Sequence, residues 1–377
     1  MKQNNITDQL KNHLEQAACQ APLPHFAPLA ISPWMAMSLL QKAIRRGEVE
    51  LALRAAATLI EVSPDRLWRR LLVIAFEDVG VADIDSIALT VAAVGSRSVR
   101  KQLGGDWLVA SWLVDRLARA RKCRAADDLL MVAEVHATYR AFRTELAEAS
   151  FQKLIDTAVS DQPMPLRALA LWFAVGTDRC QSNHLPPRPG DPSVFDHLIE
   201  AGYPRTIVEV AREGCRKSRE IICAMIPLLW REAYLVDTEV SGTPTEVIGD
   251  PLPPVVFFDG VPGWCMDKFT REGRKALKLL LQSGCESARW INEQVPRSER
   301  MDFLGHILFR IESGLMINRF DWPLSNKLRY LADVECNGEY CEDASVAMSL
   351  LCADISFLNE ARGAVFRNVV QITSRQS

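Results

Sequence analysis

Chemistry requires reactive side chains held within reach of one another, and this 377-residue chain offers few such sets. Glu77 and Asp78 are adjacent carboxylates, a pairing that suits general acid–base work or a bound cation. On an α-helix, neighbouring side chains point about 100° apart, so these two would not converge on one ion. Glu77 reads instead as an ion-pair partner, with Asp78 in a turn or cap. Cys336 and Cys341 are separated by four residues, with Cys352 beyond them. Zinc takes four ligands, commonly as two close pairs, and no second pair is near. His184 and His197 flank a proline-rich stretch without any ligating pattern. No H-E-x-x-H, G-x-S-x-G or Cys/His signature is present. No catalytic residue, metal site or cofactor is therefore expected, and the chain reads as non-enzymatic more readily than as an enzyme.

Cations are the better lead. Between Gly95 and Arg124 lie Arg97, Arg100, Lys101, Arg116, Arg119, Arg121, Lys122 and Arg124, opposed only by Asp106 and Asp115, in a chain whose net charge is −3. A second set, Lys268, Arg271, Arg274, Lys275 and Lys278, surrounds Thr270, which reads as a helix N-cap. Phosphate contacts call for flexible cations together with exposed backbone amides. Both sets are therefore candidates for contact with a nucleic-acid backbone, Arg271, Arg274 and Lys275 foremost in the second. The alternative for each is a solvated helix face neutralised by acids elsewhere in the fold. Aromatic residues are not interleaved with these cations in the single-strand-binding manner.

The elements that must position these groups are helical. Ser63 and Pro64 read as N-cap and first residue of a helix, with Asp65 in its first turn. Leu67, Leu71, Ile74 and Ala75 share one face, widened by Trp68 and Leu72. A structural corner follows, in which Arg70 is spaced to pair with Glu77 across the helix end. Asp78 occupies the turn, Gly80 the left-handed stop, and Asp83 caps the helix beginning near Ile84. Apolar stripes of helical period continue almost throughout, which predicts an all-α fold, an irregular multi-helix array. Val255-Val256-Phe257-Phe258 is the exception, either a short strand or an apolar loop. Residues 1–33 read as a helix and a proline-rich loop, and 34–178 as one helical domain. Residues 179–192 read as a linker or surface loop, and 193–377 as a second helical region interrupted by a Pro/Gly-rich loop at 237–267.

The corner also carries a resemblance. Arg69-Arg70, the apolar run after it and Glu77-Asp78-Val79-Gly80-Val81-Ala82-Asp83 resemble the C-terminal helical collar of the AAA+ replication-associated recombination factors, the RarA/MgsA family. Ser38 to Gly47 and Glu50-Leu51-Ala52-Leu53 are similar to that family's preceding helices, and the likeness spans about residues 35–145. Phe76 stands where the family usually has a small residue, and Ile84 where it has proline. No G-x-x-x-x-G-K-[ST] phosphate loop exists in the chain, so the resemblance carries no ATPase. It implies assembly into a homo-oligomer and replication or recombination proteins as partners. The leading expectation is a non-catalytic DNA-metabolism factor with DNA as a partner. The alternatives are a protein-binding helical scaffold without nucleic-acid contact, or an enzyme of unrecognised type that uses the 237–275 loop region, with Asp259, Trp264, Asp267 and Arg271, as a pocket wall. The composition is that of a soluble globular protein, 48% hydrophobic and 24% charged. No apolar run approaches the ~20 residues of a membrane span. The polar start and the ten scattered cysteines predict no signal peptide, no membrane partner and a cytoplasmic location.

Overall fold

Local signals set many of the helix ends in the computed structural model, which describes residues 6–18, 26–236, 247–337 and 344–373. Thr270 and Asp83 cap their helices as their side chains suggest, each accepting a backbone amide three residues on. Asp106 is the first residue of its helix and accepts a hydrogen bond from Arg100. Among the described residues there are twenty α-helices, and the fold is all-α, an irregular multi-helix array. The strands are two-residue pairs. Val247–Ile248 runs antiparallel to Arg319–Phe320, and Phe257–Phe258 to Val261–Pro262. The second pair turns on Asp259 and Gly260, both at positive φ, as a tight hairpin demands. The apolar run 255–258 thus gives only its last two residues to a strand.

The chain divides into two compact units, each made of three separated stretches. The first comprises Met1–Pro24, Trp68–Ile248 and Asn318–Cys336; the second comprises His25–Leu67, Gly249–Ile317 and Asn337–Ser377. The expected division at 179–192 is not where they part. That segment is a loop within the first unit. Thr177 Oγ1 donates to the Pro186 carbonyl at 2.7 Å, and the Arg188 guanidinium donates to the carbonyls of Leu146, Ala147 and Ala149. The expected 34–178 domain is divided inside the helix Pro64–Ile74, between Leu67 and Trp68.

The first unit is centred on Met164–Val175, every residue of which is buried. A helix whose one charged residue, Arg167, is itself buried and hydrogen-bonded to Ala158 and Tyr203 must be enclosed, and this one packs against Phe151–Val159, Ala125–Val135 and Ile222–Arg231. In the second unit, Ala276, Leu277, Leu280, Ile291, Phe303, Leu304, Ile307, Leu351 and Leu358 form one apolar cluster. Among the described residues, no single helix is long and apolar enough to cross a membrane.

Candidate functional site

The corner departs from α-geometry. After Pro64–Ile74, residues Ala75–Val79 form a π-turn and Gly80–Ala82 a 3-10 turn, before the helix Ile84–Gly95. Gly80 has the positive φ expected of it, +53°, but with ψ −145° it is extended rather than left-handed helical. A Cβ there would lie 2.3 Å from the Cys123 carbonyl oxygen. Glu77 and Asp78 both lie in this π-turn. Arg124 Nη1 donates to Glu77 Oε1 at 2.8 Å and to Asp78 Oδ1 at 2.6 Å, and Nη2 donates to Asp127. Glu77 and Asp78 therefore do converge, on a guanidinium rather than on an ion. Burial alone would lower the Arg124 pKa, but Asp127, Asp78, Glu77 and Asp128 hold it well above its ordinary value. Arg70, half-buried, lies in the field of Glu220, whose carboxyl is pushed up by burial and by Glu77 while Arg70 opposes.

Three of the eight cations between Gly95 and Arg124 are buried and engaged inside the fold, which corrects their assignment to a phosphate-binding surface. Arg100 donates to the Ala93 carbonyl and to Asp106, both at 2.7 Å, and its guanidinium stands 4.2 Å from the Trp68 ring centre. Lys122 Nζ donates to the carbonyls of Ala118 at 3.0 Å and Ala120 at 2.5 Å, closing the end of Asp106–Arg119. Arg124 is held as described. Arg116 is half-buried, with Nε on Ser86 Oγ at 2.8 Å. Arg119 is exposed but pairs with Asp115 on its own helix at 2.9 Å, and Arg121 lies 5.4 Å from the Phe320 ring centre. Arg97 and Lys101 remain exposed and unengaged among the described residues. The local excess of charge is largely answered by Glu77, Asp78, Asp83 and Asp127, which lie outside the segment or at its far side in sequence.

A second ionic cluster, in the second unit, has no counterpart in the sequence reading. Lys42 Nζ lies 2.8 Å from Asp267 Oδ2 and donates to the Trp264 carbonyl at 2.7 Å. Arg362, fully buried, holds the Glu312 carboxylate through Nη1 at 3.0 Å and Nη2 at 2.5 Å. Arg45 donates to the Ser313 carbonyl, and Arg46 donates to the Glu312 carbonyl while stacking over Trp264. Burial pushes the Lys42 amine down against the pull of Asp267. Burial would raise Glu312, but Arg362, Lys42 and Arg46 bring it below the usual carboxylate range. These contacts tie the helix Pro33–Arg45 to the Trp264–Asp267 segment. Of the four residues expected to line a pocket, Trp264 and Asp267 sit here, whereas Asp259 and Arg271 are exposed, so the four do not converge. Residues 237–246 of that expected wall lie outside the described residues.

The helix Arg271–Gln282 is arranged differently. Thr270 Oγ1 accepts the Gly273 amide at 3.0 Å, and Ala276, Leu277 and Leu280 enter the core. Arg271, Arg274, Lys275 and Lys278 are exposed at i, i+3, i+4 and i+7, which places them along one face. Glu272, the helix's single acid, is buried. None of the four cations forms an ion pair or side-chain hydrogen bond with a described residue. Just before the stripe, Lys268 is mostly buried near Asp302, and Phe269 is 67% exposed.

The remaining sequence candidates stay apart from this face. His184 is exposed, and His197 pairs with Glu200 one turn along its helix. Cys336 is buried, Cys352 is exposed, and Cys341 lies outside the described residues. Among the described residues no group of three or more His, Cys, Asp or Glu side chains is arranged to hold a metal ion. No known protein family, curated protein or solved structure matches the chain.

Proposed function

We propose that the protein is a non-catalytic helical factor of nucleic-acid metabolism that binds phosphate backbone through the exposed face of Arg271–Gln282. The observation that carries this reading is the stripe of Arg271, Arg274, Lys275 and Lys278, four solvated cations on one face with no side-chain partner among the described residues. Seven residues of helix rise about 10 Å, and each strand of a duplex carries one phosphate per about 3.4 Å of axis, so the stripe covers the axial length of about three phosphates. A membrane surface fits less well. A helix that lies on lipid inserts its apolar face, and here Ala276, Leu277 and Leu280 are already committed to the core. The likeness of residues 35–145 to the collar of recombination ATPases supplies the setting: replication or recombination proteins as partners, and self-association.

Fluorescence anisotropy on a labelled oligonucleotide across a salt series tests this. Affinity should fall by about 0.7–0.9 log units per log unit of salt for each phosphate neutralised. Reversing all four residues, as Arg271→Glu, Arg274→Glu, Lys275→Glu and Lys278→Glu, should abolish binding with little change in melting temperature, since exposed positions each contribute within about 0.5 kcal/mol. Arg124 is unsuited to such a test. Its loss would remove the buried guanidinium that Glu77, Asp78 and Asp127 share, at about 3–5 kcal/mol. Absence of wild-type binding at low salt would refute the proposal, as would unchanged binding by the reversed variant. Salt-dependent capture of an acidic polypeptide but not of DNA or RNA would move the reading to a protein scaffold.

A further inference from the structure

We infer that this face takes single-stranded rather than duplex nucleic acid, with Phe269 as the platform on which an unpaired base stacks, an assignment that rests on the phosphate-binding reading of the same helix. The cation spacing shows no repeated aromatic interleaving, but one ring, Phe269, lies between Lys268 and Arg271, and at 67% it is the most exposed large hydrophobic side chain among the described residues. A phenyl ring left in water contributes little to the core and keeps a face open to a ligand. Its backbone is firmly placed. The Phe269 amide donates to Asp267 Oδ1 at 3.0 Å, and the Thr270 amide and hydroxyl donate to the Asp267 carbonyl at 3.1 and 3.0 Å. Gly273 packs so closely on this turn that a Cβ would come 2.0 Å from the Asp267 oxygen.

Register places the ring at the N-terminal end of the stripe. With Thr270 as N-cap, Phe269 is the residue before the cap and Arg274 the fourth of the helix, positions that lie on the same side of a helix's first turn. A nucleotide stacked on Phe269 would therefore have its phosphates beside Arg271 and Arg274, and the following ones beside Lys275 and Lys278. Lys268 Nζ stands over one face of the ring, 5.3 Å from its centre, which leaves the opposite face for a base. Every base offers a π-face, so such a platform tolerates any sequence. A duplex keeps its bases paired and stacked on one another, and has none to offer the ring except at its ends.

The test compares an oligothymidylate with a covalently closed duplex of equal length, using the full chain. Wild type should prefer the single strand. Phe269→Ala should weaken single-strand binding roughly 5- to 100-fold, leaving duplex affinity and melting temperature unchanged, and Phe269→Tyr should retain most of the affinity. Equal wild-type affinity for the two forms, or a Phe269→Ala variant indistinguishable from wild type, overturns the inference. If the fourfold cation reversal still abolishes binding in that case, the phosphate-backbone reading survives alone. Failure of wild type to bind either form overturns both. Binding to phosphatidylserine vesicles in place of the oligonucleotides does the same and points to a lipid surface.

Discussion

An ammonium group with no exposed surface has to be held by something, and for Lys122 the holders are two carbonyl oxygens, those of Ala118 and Ala120, rather than a carboxylate in contact. Burial pushes its pKa down to about 8, with Asp78 and Asp83 pulling the other way. The unfolded chain keeps the value of 10.5. Below pH 8 the amine is protonated in both states, and the folded protein bears the full penalty of the buried charge. As pH rises through 8 the folded state sheds its proton first, and the penalty is relieved until the unfolded chain also loses its proton near 10.5. Lys122 therefore makes stability rise with pH across this window, by up to about 3 kcal/mol. Denaturant unfolding at closely spaced pH values should show that rise in wild type relative to Lys122→Met, which has no proton to lose. Parallel curves for the two proteins would mean that the amine reaches water. The same reasoning explains why a cation tally along the sequence overstated the first basic segment. Arg100, Lys122 and Arg124 look like Arg97 and Lys101 in sequence, and only the acceptors around them tell the two kinds apart.

At the corner a local winding and a distant contact occur together. Ala75–Val79 winds as a π-turn, and from it both Glu77 and Asp78 reach Arg124, a residue more than forty positions away. Gly80 ends it where the chain passes so close to the Cys123 carbonyl that no side chain fits. Gly80→Ala should therefore combine a disfavoured positive φ with a backbone clash, and lower stability well beyond the ~1 kcal/mol expected of losing a cap. Asp83→Ala, three residues on, should lose about 0.5–2 kcal/mol by freeing the Ser86 amide. Thermal unfolding of the two variants side by side is the measurement, and an alanine at 80 that is no worse than one at 83 would show that the backbone there can relax. What was legible in the sequence follows from range. Asp83 and Thr270 cap through bonds spanning three residues, and the Arg271–Lys278 stripe is written in helical spacing. The positive φ of Gly80 was legible as well. The π-turn was not, because nothing in the local spacing of Ala75–Val79 marks it, and Arg124, which both carboxylates bond, lies more than forty residues on. The pairing of Lys42 with Asp267 was equally hidden, since more than two hundred residues separate them and neither lies in a motif.

At the scale of the whole molecule, the proline-rich segment 179–192 invites cutting the chain in two, but the contacts make that a poor place to cut. A fragment ending at residue 192 would keep the central helix Met164–Val175 while losing Ile222–Arg231, which packs on it. It would also lose Pro323–Asp333, the partner of Ala125–Val135. The complementary fragment, 193–377, would keep Asp267, Glu312 and Arg362 but lose Lys42, Arg45 and Arg46. Glu312 would retain the Arg362 guanidinium, whereas Asp267 would lose its Lys42 partner. An uncompensated buried charge costs about 3–5 kcal/mol, and a domain has only about 5–15 kcal/mol of stability to lose. The apolar faces uncovered on Met164–Val175 and Ala125–Val135 would add to the deficit at about 25 cal/mol per Å². Neither fragment should therefore show a cooperative melt or a near-ultraviolet dichroism spectrum resembling its share of the intact protein. Cutting only the Pro186–Pro189 loop while keeping both pieces together should leave the fold largely intact, because Arg188 and Thr177 anchor its two sides. Two cooperative transitions from the separate fragments, together reproducing the intact melt, would show instead that the chain does divide at its proline-rich segment.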